Sequence, residues 1–165
     1  MNAQAPERDW LALAREVLEV EADRLSAVRQ GLGAGFLDAL TRMARCTGRV
    51  VVTGIGKSGL VGRKVAATLS STGTPSYFLH PVEGAHGDMG MIRPEDVVLA
   101  ISYSGETEEL VNILPAFRAL GAAVVALTGE PESSLGRLSD VVIPVRVPRE
   151  ACPMNLAPTA STTAA

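Results

Sequence analysis

Hydrophobic residues near the start of the chain recur every three or four positions, with polar residues between them. The apolar set comprises Trp10, Ala14, Val17, Leu18, Ala22, Leu25 and Val28, while Arg15, Glu19 and Asp23 occupy the other side. This spacing is typical of an amphipathic helix, which we place at residues 7–30. A second helical pattern spans residues 36–46 and stops before Gly48. Residues 1–48 are therefore predicted to form helices that pack on the domain that follows.

Short apolar segments alternate with helical patterns through the rest of the chain. The predicted strands are residues 49–53, 76–80, 96–102, 123–128 and 141–145, and the predicted helices are residues 58–71, 107–120 and 133–138. The third and fourth strands are apolar on both faces, as expected for central strands of a parallel sheet with helices on each side. The alternation predicts a three-layer α/β domain over residues 49–165.

Composition limits the kinds of protein that this chain can be. With 165 residues, 47% of them hydrophobic, it suffices for one domain with one core. A net charge of −3 and scattered Lys and Arg residues give no basic groove, so no nucleic-acid partner is expected. Cys46 and Cys152 show no disulfide or zinc spacing, which indicates a reducing, cytoplasmic setting. No apolar run reaches the ~18 residues of a membrane span, and the first ten residues lack the apolar core of a signal peptide.

The sequence GIGKSG, residues 54–59, follows the first predicted strand and opens a helix. Glycines let backbone N–H groups approach a phosphate, and the helix N-terminus adds a favourable dipole. The P-loop spacing is not met, because one residue separates Gly54 from Gly56. The dinucleotide pattern G-x-G-x-x-G is formally present, but Lys57 lies inside the turn and the next strand ends on His80 instead of an acid. A dinucleotide site remains an alternative to a sugar phosphate.

A second loop, SYSGETEE at residues 102–109, places three hydroxyl groups around Gly105 at the start of another helix. Neutral hydroxyl groups and backbone donors suit a phosphate monoester. Ligands of open α/β sheets lie beyond the carboxyl ends of the strands, so both loops are expected to line one crevice. The structural alternative is that Ser104 or Thr107 only caps the helix. The two loops together favour phosphate binding.

Four stretches, GIGKSG, STGTPSYFLHPVEGAHGDMGM, SYSGETEEL and REACPMNLAPTASTTAA, together resemble the sugar isomerase (SIS) domain, in particular that of D-arabinose 5-phosphate isomerases. The resemblance covers nearly the whole chain. It implies five parallel strands in flavodoxin-like order, no cofactor, and interconversion of D-ribulose 5-phosphate and D-arabinose 5-phosphate through an enediol. It also implies a homo-oligomer, either a dimer or a tetramer, and supply of 3-deoxy-D-manno-octulosonate for lipopolysaccharide synthesis.

The same resemblance assigns catalytic positions to Lys57, His86, Glu109 and Glu150. An enediol reaction needs a base, a proton donor and a positive group near the developing oxyanion. We expect Glu150 to transfer the proton at carbon, Glu109 to be the second acid or base, and Lys57 to stabilise the oxyanion or to help ring opening. The two carboxylates can exchange roles, and His86 is expected to contact the substrate or to open its ring. The implied substrate-binding positions are Gly56, Ser58, Ser102, Ser104, Gly105, Thr107, Ser161 and Thr162.

Glu83, His86 and Asp88 lie close together in the sequence, but their spacing is not that of a metal site, and none is expected. His80 is expected to be structural. By pattern alone, Glu109 is an ordinary first-turn acid favoured by the helix dipole, and Glu150 is an ordinary loop acid.

Two further readings of the function stay open. Another phosphosugar isomerase, of the 3-hexulose-6-phosphate type, would use the same loops on a longer sugar. A non-catalytic sugar-phosphate sensor would keep the hydroxyl loop without Lys57, Glu109 and Glu150, all of which are present. In the family a long helix and another catalytic histidine follow the STT sequence, and many members carry CBS domains. The resemblance therefore implies that activity belongs to a longer protein.

Overall fold

The structure, a computed structural model, describes residues 9–165 and contains a sheet preceded by two helices. The strands are β1 (Val50–Gly54), β2 (Ser76–Leu79), β3 (Val97–Ile101), β4 (Ala123–Thr128) and β5 (Val141–Pro144). The helices are α1 (Trp10–Gly31), α2 (Ala34–Ala44), α3 (Gly56–Ser71), α4 (Pro81–Ala85), α5 (Glu108–Ala119), α6 (Ser134–Leu138) and α7 (Ala160–Ala164), and a 3₁₀ turn spans Asp88–Met91. The predicted start of the first helix at Glu7, like most of the segment compared with a signal peptide, lies outside the described residues.

The five strands form one parallel sheet in the order β2-β1-β3-β4-β5. This flavodoxin-like order confirms the predicted fold class. The chain winds from β1 outward to β2 and then crosses back to β3, so the strand order reverses between β1 and β3. Crevices at such a reversal are the usual ligand sites of open α/β sheets. β1 ends where GIGKSG begins, and β3 ends where SYSGETEE begins.

Two hydrophobic layers, one on each face of the sheet, hold the strands and helices together. On one face Val51 and Val98 pack with Phe117 of α5, and on the other Val52 and Leu99 pack with Ala66 of α3. The side chains of these layers are almost completely buried, and each large one contributes about 1.5–3 kcal/mol. Helix α3 approaches the sheet closely, since a methyl group at Gly62 would lie 3.1 Å from the Phe78 ring.

Helix α1 leaves much of its apolar side exposed. Trp10 and Leu18, both members of the predicted apolar set, are 68% and 67% exposed, and Val20 is the buried residue of the helix. The reason is that α1 packs chiefly against α7, which is only five residues long. Val20 packs there with Ala151 and Ala160. One edge of the apolar side is thus covered, and the rest faces outward.

Helix α4, which is five residues long, was not predicted from the sequence. Pro81 occupies its first position, and the Val82 N–H donates to Nδ1 of His80 over 3.3 Å. His80 therefore has the structural role expected of it, as the residue that caps α4. Within residues 9–165, no helix combines the length and the apolar character needed to cross a bilayer.

Candidate active site

A cavity of about 310 Å³ lies at the carboxyl ends of β1 and β3, where the strand order reverses. Its polar lining comes from the glycine loop, the hydroxyl loop and α7, and comprises Lys57, Ser58, Ser102, Tyr103, Ser104, Thr107, Ser161 and Thr162. Apolar residues such as Val61, Ile101 and Leu127 form the remainder. The two loops therefore line one crevice, as the sequence predicted.

The glycine loop places the N-terminus of α3 against this cavity. Gly56 begins the helix at a φ of +60°, a conformation that suits glycine. A methyl group at Gly59 would lie 2.8 Å from the Gly54 carbonyl oxygen, so the turn is as tight as the spacing of glycines suggested. No side chain of the described residues caps α3, and its first-turn N–H groups can therefore bind an anion.

The hydroxyl loop is organised by bonds between its own side chains. The Ser102 hydroxyl lies 2.9 Å from the Thr107 hydroxyl and accepts the Gly105 N–H over 3.1 Å. Thr107 occupies the N-cap position of α5, yet its side chain caps no N–H group of that helix. Gly105 has a φ of +65°, and a methyl group there would overlap the Ser133 hydroxyl. The alternative that Thr107 only caps the helix is therefore wrong. The Ser104 hydroxyl accepts a local hydrogen bond from the Glu106 N–H over 3.3 Å.

Tyr103 is a cavity residue that sequence reasoning missed. Its hydroxyl donates to the Val147 carbonyl oxygen over 2.7 Å and accepts the Val147 N–H over 3.1 Å. The residue lines the cavity and also an adjoining groove of about 320 Å³ that contains Glu150. The only sequence signal was its place between two loop serines, which does not reveal a partner 44 residues away.

Glu150 lies beside the cavity, in that adjoining groove, and does not line the cavity itself. Its Oε2 accepts the Thr159 N–H over 2.8 Å, the Thr159 hydroxyl over 3.2 Å and the Ser161 N–H over 3.1 Å. Partial burial raises the pKa of Glu150, but the donors of Ser161 and Thr159 outweigh it, so the pKa lies below its ordinary value. Its Oε1 accepts no hydrogen bond from any residue between 9 and 165.

The carboxylate of Glu150 thereby fixes the start of α7, which forms one wall of the cavity. Ser161 is buried there, and the Thr162 hydroxyl donates to the Thr159 carbonyl oxygen over 2.7 Å. One residue farther along, the Thr163 hydroxyl donates to Glu21 of α1 over 3.2 Å. The wall is therefore held from both sides, by Glu150 and by α1.

The structure does not place every predicted site residue in the cavity. Gly56 and Gly105 belong to the two loops without lining the cavity. Glu109 is exposed in the first turn of α5, and His86 is exposed at the C-terminal end of α4. Their catalytic roles stay predictions. Across residues 9–165, no three or more His, Cys, Asp or Glu side chains form a group able to hold a metal ion, Glu83, His86 and Asp88 included.

Curated arabinose 5-phosphate isomerases are similar to this chain over nearly its whole length. The arabinose 5-phosphate isomerase KdsD of Salmonella typhi is 51% identical over 162 residues, which are 98% of this chain and 49% of that protein. The KdsD of Escherichia coli K12 is 50% identical over 96% of this chain and 48% of its own. The chain thus spans about half the length of these curated relatives.

A solved structure and a family model are also similar to this chain. An E. coli CFT073 protein solved in complex with A5P is similar with a TM-score of 0.90 and 37% identity, over 99% of this chain and 85% of that chain. The family model described as the SIS domain matches residues 43–165, which include both loops, Glu150 and α7. The chain belongs to the SIS domain family.

Proposed function

We propose that this chain forms the catalytic domain of an aldose-ketose isomerase that interconverts D-ribulose 5-phosphate and D-arabinose 5-phosphate. The observation that carries the proposal is the single cavity in which the glycine loop, the hydroxyl loop and Lys57 meet. The KdsD relatives, which are 50–51% identical in sequence, and the similar protein solved in complex with A5P support this choice of substrate.

The phosphate group would bind between the two loops. Uncapped N–H groups at the start of α3 and the hydroxyls of Ser102, Ser104 and Thr107 are donors that suit a phosphate dianion. Lys57 lines the same cavity and contributes a positive charge. This end of the site holds the substrate and leaves its carbonyl end to reach toward α7.

The chemistry requires a proton to leave one carbon and return to its neighbour. From the aldose, a carboxylate removes the C2 proton while the C1 oxygen gains a proton, which gives the enediol. The O2 proton then leaves and C1 receives a proton, which gives the ketose. Glu150 is the proposed base, through the Oε1 that its internal hydrogen bonds do not use. Lys57 stabilises the oxyanion as charge develops.

The other proposed groups complete this scheme. Glu109 is the second acid or base, and it remains the alternative base if Glu150 only holds α7. His86 is proposed to contact the substrate or to assist ring opening. The low pKa of Glu150 keeps it in the carboxylate form that accepts a proton, although it also lowers its basicity. The scheme uses groups of the protein alone and calls for no cofactor.

The exposed apolar side of α1 supports assembly as a homo-oligomer, a dimer or a tetramer. Trp10, Leu18 and Leu25 are 68%, 67% and 47% exposed along one helix. Contiguous apolar surface of this kind commonly marks a protein interface. We further infer a cytoplasmic enzyme whose product feeds 3-deoxy-D-manno-octulosonate and lipopolysaccharide synthesis, in keeping with the resemblance to D-arabinose 5-phosphate isomerases.

A substrate panel tests the proposal. The full-length protein is supplied with D-arabinose 5-phosphate, with and without a chelator, and D-ribulose 5-phosphate is followed. We expect turnover that chelation does not change. Faster turnover of 3-hexulose 6-phosphate would favour the other phosphosugar isomerase. Tight sugar-phosphate binding without turnover would favour a sensor, and saturable NAD binding would favour a nucleotide enzyme.

A further inference from the structure

The phenol of Tyr103 connects the loop proposed to hold phosphate with the segment that leads to Glu150. Its hydroxyl forms two hydrogen bonds with the main chain of Val147, as donor over 2.7 Å and as acceptor over 3.1 Å. Val147 precedes Glu150 by three residues. Among residues 9–165, Tyr103 is the only hydrogen-bond partner of the Val147 N–H and carbonyl groups.

Tyr103 is held both at its main chain and along its side chain. At the loop end, its carbonyl oxygen accepts the Gly129 N–H over 3.0 Å and the Thr128 hydroxyl over 3.2 Å. The ring packs on Gly129 so closely that a methyl group there would lie 2.5 Å from it. Tyr103 is therefore a rigid connection and not a freely rotating surface side chain.

The segment after β5 needs such a connection, because it has left the sheet. β5 ends at Pro144, and the last ladder-like bond is from the Val145 N–H to the Thr128 carbonyl oxygen over 2.9 Å. Beyond it, Arg146 and Arg149 form only exposed ion pairs at 3.7 Å, which hold a main chain weakly. The Tyr103 hydroxyl thus supplies the ordered main-chain contact between the sheet and Glu150.

We propose that Tyr103 is a positioning residue that sets the distance between the phosphate-holding loop and the Glu150 carboxylate. This inference rests on the proposed isomerase function. When the phosphate group of a five-carbon sugar is bound, the length of the sugar sets how far C1 and C2 lie from the phosphate. The base must therefore be held at that same distance from the phosphate-holding loop. A displacement of about 1 Å can lower a rate by about a hundredfold.

The test is Tyr103→Phe, with Tyr77→Phe as its matched control. The chain has two tyrosines, and the buried Tyr77 hydroxyl has no hydrogen-bond partner within the described part of the chain. In the full-length protein, we expect Tyr103→Phe to lower kcat for D-arabinose 5-phosphate about tenfold or more. KM should stay within about twofold, because the loop hydroxyls are untouched. Amide exchange at Val147 should accelerate, and Tyr77→Phe should leave all three measurements unchanged.

The two kinds of readout separate this inference from the proposed function. Inactive wild-type protein would overturn the proposed function and the positioning role of Tyr103 with it. Unchanged exchange at Val147 in Tyr103→Phe would overturn the positioning bond itself, whatever the activity. Faster exchange with an unchanged kcat, or a KM that rises as much as kcat falls, would show that the connection does not position the base.

Discussion

The side-chain hydroxyls of Ser102 and Thr107 lie 2.9 Å apart across the hydroxyl loop. This pairing turns Thr107 away from helix capping and toward the cavity, where both residues contribute to the lining. A phosphate oxygen that enters the loop would meet two hydroxyl groups already held in place. This arrangement suits the proposed phosphate binding, and substitution of Thr107 gives a first prediction.

Thr107→Val removes one of these hydroxyls and keeps the side-chain shape. Because a hydrogen bond to a charged group contributes about 1.5–3 kcal/mol, we expect KM for the sugar phosphate to rise about tenfold to a hundredfold. Steady-state kinetics measure the change. The control is Thr72→Val, since the exposed Thr72 hydroxyl donates to the Leu69 and Thr68 carbonyl oxygens at the end of α3. Equal KM values in the two variants would contradict phosphate binding by this loop.

Lys57→Met removes the cation of the cavity. The chain has only one other lysine, Lys64, which lies farther along α3 and bonds to Thr68 over 2.8 Å. If Lys57 stabilises an oxyanion, its loss should lower kcat about a hundredfold to a thousandfold. Lys64→Met should have no effect on kcat. A fall in kcat common to both variants would point to helix damage instead of lost catalysis.

Glu150→Gln tests the proposed base. An amide cannot accept the carbon-bound proton, so kcat should fall by about a hundredfold or more. Glu132→Gln, at an exposed position, is the control. If Glu150→Gln retains wild-type turnover, Glu109 becomes the base, and Glu109→Gln compared with Glu108→Gln would then show the loss.

The same residue gives a prediction about how stability depends on pH. The folded-state pKa of Glu150 is lowered, so its contribution to the free energy of unfolding is present above the ordinary pKa of about 4.5. That contribution is lost as pH falls through the folded-state pKa. We therefore expect the melting temperature of the wild type to exceed that of Glu150→Gln at neutral pH, and the difference to shrink in acid.

Thermal melts from neutral pH to about pH 3 measure this difference. The exposed Glu106, whose pKa is also lowered by Ser134, is present in both proteins and cancels in the comparison. A difference that stays constant over the whole range would mean that the Glu150 charge does not stabilise α7.

The exposed apolar side of α1 gives a prediction about assembly. Leu18→Glu places a charge in its centre and should shift the protein to a smaller assembly in analytical ultracentrifugation. Ser26→Glu adds the same charge at another exposed position of the helix, outside the apolar set. If neither variant changes the sedimentation of the wild type, α1 is not the contact between copies.

Regular elements of the fold could be predicted from the sequence, because burial on both faces leaves a continuous apolar run. β4 was placed at residues 123–128, the bounds that the structure has. Helix periodicity showed that α1 has an apolar side, but a period does not say what covers that side. The covering partner, α7, is distant in sequence and only five residues long.

Residues of the candidate site could be predicted where they directly follow a strand. They could not be predicted where their positions depend on contacts between distant parts of the sequence. Ser102 and Lys57 follow strand ends, so the sheet order alone brings them together. The partners of Glu150 are Thr159 and Ser161, across a loop without periodicity. The hydrogen bond from Tyr103 to Val147 joins residues that are 44 positions apart, and no local sequence pattern indicates it.

Helix α1 is attached at the wall of the cavity and not at the central sheet. Val20 packs on Ala151 and Ala160, and Glu21 accepts the Thr163 hydroxyl. Removal of this helix would therefore leave the two apolar layers around the strands intact but would release the cavity wall that α7 forms. A partner that binds the outer side of α1 would therefore act on the cavity through these contacts.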